Sequence, residues 1–393
     1  MRNAGSRLKR VTLALADSHL VLTPTTKASR DWLVAVASMG ALLAVAVPAQ
    51  AAPAPECFGE NATITGSGVI VGTEGDDVIV GSPGDDFIDG LGGNDRICGL
   101  GGKDFLNGGL GDDWADGGDG DDDVQGDVYA ETGDAVGGGN DHLYGDDGLD
   151  QIHGDSRAGD LPGDNPNGNA NGGDDFIDGG NGEDHIAGDS ITFGANGNAT
   201  GGGNDRIFGG DGVEFVAGDN VTHGGDAIGA GNDYIDGSAG REVLWGDNLA
   251  IGGAPAFGAG DDVLDLGKDG GFAAVGDNDA VGDVVGAGDD KIIGGAAGEF
   301  VLIGDNATNG TVTEAGDDDI DGRGGNDGLF GDNTDTAWTG SLLTAGGSDK
   351  LNGGGGDDVL RAGPGDDKLN GGPDFDDCDG EGGADKVISC ERP

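Results

Sequence analysis

The chain has 393 residues, of which 90 are glycine and 75 are Asp or Glu, with aromatics at 5% and a formal net charge of -56. That composition excludes one large oily core of the usual globular kind, and the charge excludes nucleic acid as a direct partner. Without multivalent cations to neutralise it, a chain this acidic repels itself and stays expanded.

In chain order the basic part comes first: residues 1–51 carry a net charge of +4, leaving -60 for residues 52–393. Lys or Arg stands at positions 2, 7, 9, 10, 27 and 30, an apolar run follows from Trp32 to Val47, and Ala49-Gln50-Ala51 supplies an A-x-A site. That order predicts a secretory signal peptide over 1–51, cleaved after Ala51. The apolar run of about 16 residues falls short of the roughly 20 that a bilayer-spanning helix needs, which makes an uncleaved anchor the lesser alternative. Residues 52–71 read as an N-terminal cap. Four cysteines occur, Cys57 and Cys98 near the start of the exported part, Cys378 and Cys390 near its end. An even number in an exported chain favours disulfides, and we expect Cys57 with Cys98 and Cys378 with Cys390, each closing one end; free thiols are the alternative. The histidines at 142, 153, 185 and 223 have no zinc-site spacing.

Over 72–125 aspartates recur every nine residues, at Asp77, Asp86, Asp95, Asp104, Asp113 and Asp122. Two positions after each stands a small or aliphatic residue: Ile79, Ile88, Ile97, Leu106, Ala115 and Val124. From 126 to 343 the period lengthens. Aspartates that open a pair of repeats stand at Asp141, Asp175, Asp205, Asp233, Asp262, Asp290 and Asp318, spaced by 34, 30, 28, 29, 28 and 28. Second aspartates of such pairs stand at Asp150, Asp184 and Asp327, whereas Glu214, Glu242 and Glu299 take that place elsewhere and near Phe272 no acid does. Each unit ends in a Gly-Asp-Asn or Gly-Asp-Ser triplet, at Asp155, Asp189, Asp219, Asp247, Asp277, Asp305 and Asp332, followed by a Gly- and Ala-containing stretch. These stretches are either a third side to each coil or loops bulging from one face. Over 344–393 the nine-residue register returns at Asp349, Asp358, Asp367, Asp376 and Asp385, followed by a Cys-containing cap.

Segments such as Gly353-Gly354-Gly355-Gly356-Asp357-Asp358-Val359-Leu360-Arg361 fit the pattern G-G-x-G-x-D-x-U-x. The register resembles the RTX, or haemolysin-type, calcium-binding repeats. A flexible acidic linker has no reason to hold Asp and an aliphatic residue in fixed phase. The expected fold is all-β, a parallel β-roll or solenoid of nonapeptide repeats. Calcium is a hard cation that takes about six to eight oxygen ligands. The repeat offers carboxylates, and its glycines let the backbone turn carbonyl oxygens inward. The resemblance implies multiple Ca2+ ions between repeats stacked two apart in sequence: Asp77 with Asp95, Asp86 with Asp104, Asp95 with Asp113, Asp104 with Asp122, and, at the other end, Asp349 with Asp367, Asp358 with Asp376, and Asp367 with Asp385. The first aspartates of the long-period units, from Asp141 to Asp318, and Asp150, Asp184 and Asp327 extend the same ligand set. The extra methylene of Glu214, Glu242 and Glu299 puts their sites in doubt. The triplet aspartates either compensate or serve turns. Fifth-position acids such as Asp76, Asp85, Asp112, Asp121 and Asp357 read as solvated charges.

No H-E-x-x-H or G-x-S-x-G motif occurs, and the repeats leave no room for an independent catalytic domain, so an enzyme is not expected. Trp114, Trp245 and Trp338 share no register. The expected function is that of a secreted structural or surface module that folds on calcium. An adhesive or polymer-binding protein using the inserted flank is the alternative, because inserts in solenoids collect on one face.

Overall fold

A residue with a branched apolar side chain between two polar neighbours makes a half-buried strand of three residues, and the x-U-x segments form such strands. Phe87–Asp89, Arg206–Phe208 and Val359–Arg361 each bury the middle residue and leave the first exposed. The structure, a computed structural model, describes residues 53–130, 134–159, 172–193, 197–337, 342 and 346–392. The expected signal peptide over 1–51 and Trp338 lie outside them. No helix occurs among the described residues, and so none long and apolar enough to cross a membrane.

Consecutive strands alternate between two parallel ladders. The first ladder runs from Ile64–Thr65 to Lys386–Ile388, and the second, of 13 strands, from Val69–Val71 to Asp377–Asp379. In the first, Ile79 pairs with Ile97 and Ile97 with Ala115; in the second, Ile88 pairs with Leu106 and Leu106 with Val124. Between the ladders the U residues form one continuous buried seam, from Ile70 through Leu143, Ile207 and Leu264 to Cys378. This seam is a single side chain wide per strand. Burial at about 25 cal/mol per Å2 works there against roughly 1 to 2 kcal/mol of backbone entropy per ordered residue. A parallel solenoid of all-β type is therefore present, as the period implied.

The long-period stretches are not bulging loops. After Gly126-Asp127, and after each triplet from Asp155 to Asp305, the chain adds a strand to a third ladder of seven, Tyr129–Ala130 to Ala307–Thr308, and after Asp332 it adds a single bridge from Thr334 to Ala307. In four coils it adds one to a short fourth ladder, Ala199–Thr200, Ala227–Ile228, Ala256–Phe257 and Val284–Val285. The insertion folds over the outer face of the second ladder and buries Trp245, Val275, Ile303 and Phe330 in a second seam. Alanines 227, 250, 256 and 280 with Val284 fill a third, thinner one. Strands Val243–Trp245, Ala273–Val275 and Val301–Ile303 are consequently buried at all three positions, as a sheet covered on both faces requires.

Both expected disulfides are present. Cys57, beside the antiparallel pair Glu56–Cys57 and Glu60–Asn61, bonds Cys98 of the first ladder, and Cys378 bonds Cys390. Stacked coils approach so closely at the turns that glycine is required: a Cβ on Gly231 would stand 1.3 Å from the carbonyl oxygen of Gly203. At Gly118 the backbone is left-handed as well, with φ +96°.

Candidate metal centres

The sixth-position aspartates end the turns that lead into the two ladders, and stacking puts each one beneath its equivalent in the next coil. At the turn entering the first ladder, the backbone N–H of Asp77 donates to Oδ1 of Asp95 at 2.8 Å, and Asp95 in turn donates to Asp113 at 2.7 Å. The same bond links Asp113 to Asp141, then Asp175, Asp205, Asp233, Asp262, Asp290, Asp318, Asp349, Asp367 and finally Asp385, at 2.7 to 3.2 Å. Thus one unbroken column of aspartates runs the length of the solenoid, through the 18-residue coils and the longer ones alike. Every stacked pair expected from the resemblance in this column is brought together.

The column entering the second ladder is interrupted. Asp86 donates to Asp104, Asp104 to Asp122, Asp122 to Asp150 and Asp150 to Asp184. There the chain of bonds stops, because Glu214 and Glu242 carry their carboxylates one methylene further out. Both glutamates are fully buried, and neither has a hydrogen-bond partner on either carboxylate oxygen. One coil later Leu266 packs into the seam, with a terminal carbon 2.0 Å from where a Cβ on Gly271 would stand, and no acid occupies the slot. The column resumes as Glu299 donates to Asp327, Asp327 to Asp358 and Asp358 to Asp376.

From Asp95 to Asp367 in the first column, and at the aspartates from Asp104 to Asp184 and from Asp327 to Asp376 in the second, one carboxylate oxygen accepts the N–H from the coil before and the other has nothing to bind, whereas at the N-terminal end Thr73 and Ser82 donate to Oδ2 of Asp77 and of Asp86. Oδ2 of Asp95, Asp104, Asp141, Asp205, Asp290 and Asp358, among others, is buried and has no hydrogen-bond partner. The glycine opening the turn leaves space for that oxygen: a Cβ on Gly90 would stand 2.4 Å from Oδ2 of Asp95, and one on Gly99 would stand 2.3 Å from Oδ2 of Asp104. No ion pair among the described residues reaches a column aspartate; Arg96, Lys350 and Arg323 pair instead with the outer acids Glu60, Asp319 and Asp265. Burial, reinforced by neighbouring carboxylates, pushes the protons on: Asp113 is raised to about 8, Asp349 to about 7 and Asp95 to about 6. Burial with Glu242 beside it raises Glu214 to about 8. Uncompensated buried carboxylate costs several kcal/mol per charge, so rows of them call for a cation. A hard, oxygen-seeking divalent ion fits the donor set.

Other expectations drawn from the sequence divide. The fifth-position acids are exposed, as expected, yet they also tie coils together: Asp76 accepts from the N–H of Asn94, Asp85 from Lys103 and Asp357 from Phe375. His142 stacks between Trp114 and Phe176 on the outer face of the first ladder. In the triplets the two polar residues part company. The Asn side chains form an internal ladder, Asn220 to Asn248 to Asn278 to Asn306 to Asn333, and serve the turn. The Asp side chains are buried beside the first aspartate column. On the inserted flank a groove of about 400 Å3 is lined by His153, His185, Phe193, Phe215, His223 and Trp245, among others.

The RTX calcium-binding nonapeptide repeat model matches residues 64–97, 71–106, 99–128, 135–156, 168–190, 199–225, 229–248, 284–297, 344–378 and 352–387. No curated protein matches the chain. With more than half of its residues covered by those matches, and with stacked turns whose buried carboxylates lack any protein cation, the chain belongs to the RTX calcium-binding repeat family.

Proposed function

We propose that the protein is a secreted, non-enzymatic scaffold that folds on calcium outside the cell, with the column aspartates from Asp77 to Asp385 and from Asp86 to Asp376 as its ligands. The observation that carries this reading is the unbroken column of carboxylates, in which every aspartate from Asp95 to Asp367 is buried and has an oxygen that no protein group satisfies. Such a chain suits a calcium-poor cytosol before export and a calcium-rich medium after it, and its two disulfides suit an oxidising compartment. Calorimetric titration of the exported protein is expected to show many ions per chain, bound in the roughly 10⁻⁴–10⁻³ M range of extracellular modules. N-terminal sequencing should begin at Ala52. Uptake of no calcium, or of one isolated ion, removes the scaffold reading, and retention of residues 1–51 replaces release by an uncleaved anchor.

A second reading, attachment to a polymer through the inserted flank, rests on the groove of aromatic and histidine side chains. Replacing Phe193 and His223 together by alanine should abolish co-sedimentation with insoluble polysaccharide while leaving calcium uptake intact. Unchanged co-sedimentation, or none by the parent protein, dismisses this role.

A further inference from the structure

The insertion of the long-period coils begins inside a calcium-binding turn and splits it in two. In an 18-residue coil the turn is continuous, Gly108-Gly109-Leu110-Gly111-Asp112-Asp113. In the long coils the first glycine is followed at once by the triplet aspartate, as in Gly188-Asp189 and Gly218-Asp219. The third and fourth ladder strands come next, and only then the second half, Gly203-Asn204-Asp205 and Gly231-Asn232-Asp233. Space reunites the halves. A Cβ on Gly188 would stand 2.2 Å from Oδ2 of Asp205, just as one on Gly108 would stand 2.5 Å from Oδ2 of Asp113. The N–H of Gly203 donates to Oδ2 of Asp189 at 3.3 Å, and that of Gly231 to Oδ2 of Asp219 at 3.2 Å, across the gap the insertion opens.

Each split turn thereby gains a carboxylate where the ordinary turns before Asp77, Asp95, Asp113 and Asp367 have Thr73, Leu91, Gly109 and Gly363. Asp189, Asp205 and Asp219 are all buried, and one carboxylate oxygen from each lies within 4.8 Å of the others. Oδ1 of Asp189, Oδ1 of Asp219 and Oδ2 of Asp205 have no hydrogen-bond partner. Oδ1 of Asp155 and Oδ2 of Asp277 and of Asp332 are left unpartnered in the same way in other coils. Three like charges so close, sealed from water and from every basic side chain, repel by several kcal/mol unless something positive lies among them. Glycine closes a turn without this repulsion, so an aspartate that did nothing but close the turn would be a poor choice.

We propose that the split turns of the central coils form a row of divalent-cation sites distinct from the ordinary repeat sites, each built from one column aspartate and the triplet aspartates of two adjacent coils, with Asp189, Asp205 and Asp219 as the best-formed example. The assignment rests on the calcium reading of the repeats and adds to it. These sites carry three carboxylates where an ordinary stacked pair of repeats supplies two, so they fill first as calcium rises. They offset the central coils' loss of acids on the opposite turn, where glutamates and Leu266 interrupt the column.

The test is the exported chain carrying Asp189→Asn and Asp219→Asn, titrated with calcium and followed by circular dichroism and equilibrium dialysis. Asparagine keeps an oxygen for the Gly203 and Gly231 amides and removes only charge. A cation site predicts about a tenfold higher calcium midpoint and about two fewer tightly bound ions per chain. Failure of the variant to fold even at ~10 mM calcium, where an Asp358→Asn control folds, supports the same conclusion, because neutralising a buried, uncompensated carboxylate should otherwise stabilise the fold. An unchanged or lower midpoint with the parent's ion count overturns the split-turn sites and leaves the ordinary repeat sites standing. A parent chain that takes up no calcium overturns both.

Discussion

In excess EDTA at neutral pH the far-UV circular dichroism of the protein is expected to change from a β spectrum to that of a disordered chain, and millimolar calcium should restore it. The reason lies in the ratio of seam to charge. Residues 52–393 carry a net charge of -60, and the seam that runs the whole array offers one side chain per strand, such as Ile79, Ile97, Ile177 or Leu369, with only the thinner second and third seams of the inserted coils added to it. Each buried carboxylate left without a cation costs several kcal/mol, and the first column alone lines up Asp95, Asp113, Asp141, Asp175 and their successors. Disulfides do not rescue the fold, because Cys57–Cys98 and Cys378–Cys390 span only its two ends. Since each coil touches only its neighbours, folding should spread along the array as a cooperative one-dimensional transition. A β spectrum that persists in excess chelator would sink the calcium-dependent scaffold.

The seam and the aspartate columns were legible in the sequence because both follow from a strict period. Asp77 and Ile79 are in phase every nine residues, the resemblance to RTX repeats implied stacking two repeats apart, and the bond from Asp77 to Asp95 is its geometric consequence. The inserted stretches were not legible to the same degree. Their strands are two residues long and rich in Gly and Ala, as in Ala199–Thr200, too short to display a period. A signal was nonetheless present one strand upstream. Val243-Leu244-Trp245, Ala273-Ala274-Val275 and Val301-Leu302-Ile303 are apolar at all three positions, whereas Tyr234-Ile235-Asp236 on the first ladder keeps a polar neighbour. Loss of alternation on one ladder alone marks an outer face that something covers. The triplet aspartates posed a different problem. Aspartate favours turns for local reasons, and its meeting with Asp205 depends on the insertion returning to its starting point, a long-range event that no local pattern encodes.

Metal-free protein should regain β structure as pH is lowered from about 8 towards 5, protons taking the place of calcium. Aspartate in an unfolded chain titrates near about 3.9. In the folded, cation-free state burial first, and neighbouring carboxylates after it, raise Asp113 and Asp332 to about 8, Asp150 and Asp349 to about 7, and Asp104, Asp122 and Asp367 to about 6. Asp175, Asp233 and Asp290 are pushed well above the usual carboxylate range for the same reason. The folded state therefore binds more protons than the unfolded state between these values, and stability falls as pH rises across that window. It is greatest below about 4 and is lost as pH climbs through 6 to 8, the reverse of proteins whose acids are salt-bridged. With calcium present the direction inverts, because each ion must displace the protons on its ligands, so the calcium midpoint should rise as the solution is acidified. A chelated sample scanned by circular dichroism from pH 8 to 5 tests the first half, and calcium titrations at pH 8 and pH 6 test the second. A metal-free chain that stays disordered throughout, together with a calcium midpoint indifferent to pH, would show that these carboxylates are not buried together as the stacked turns require.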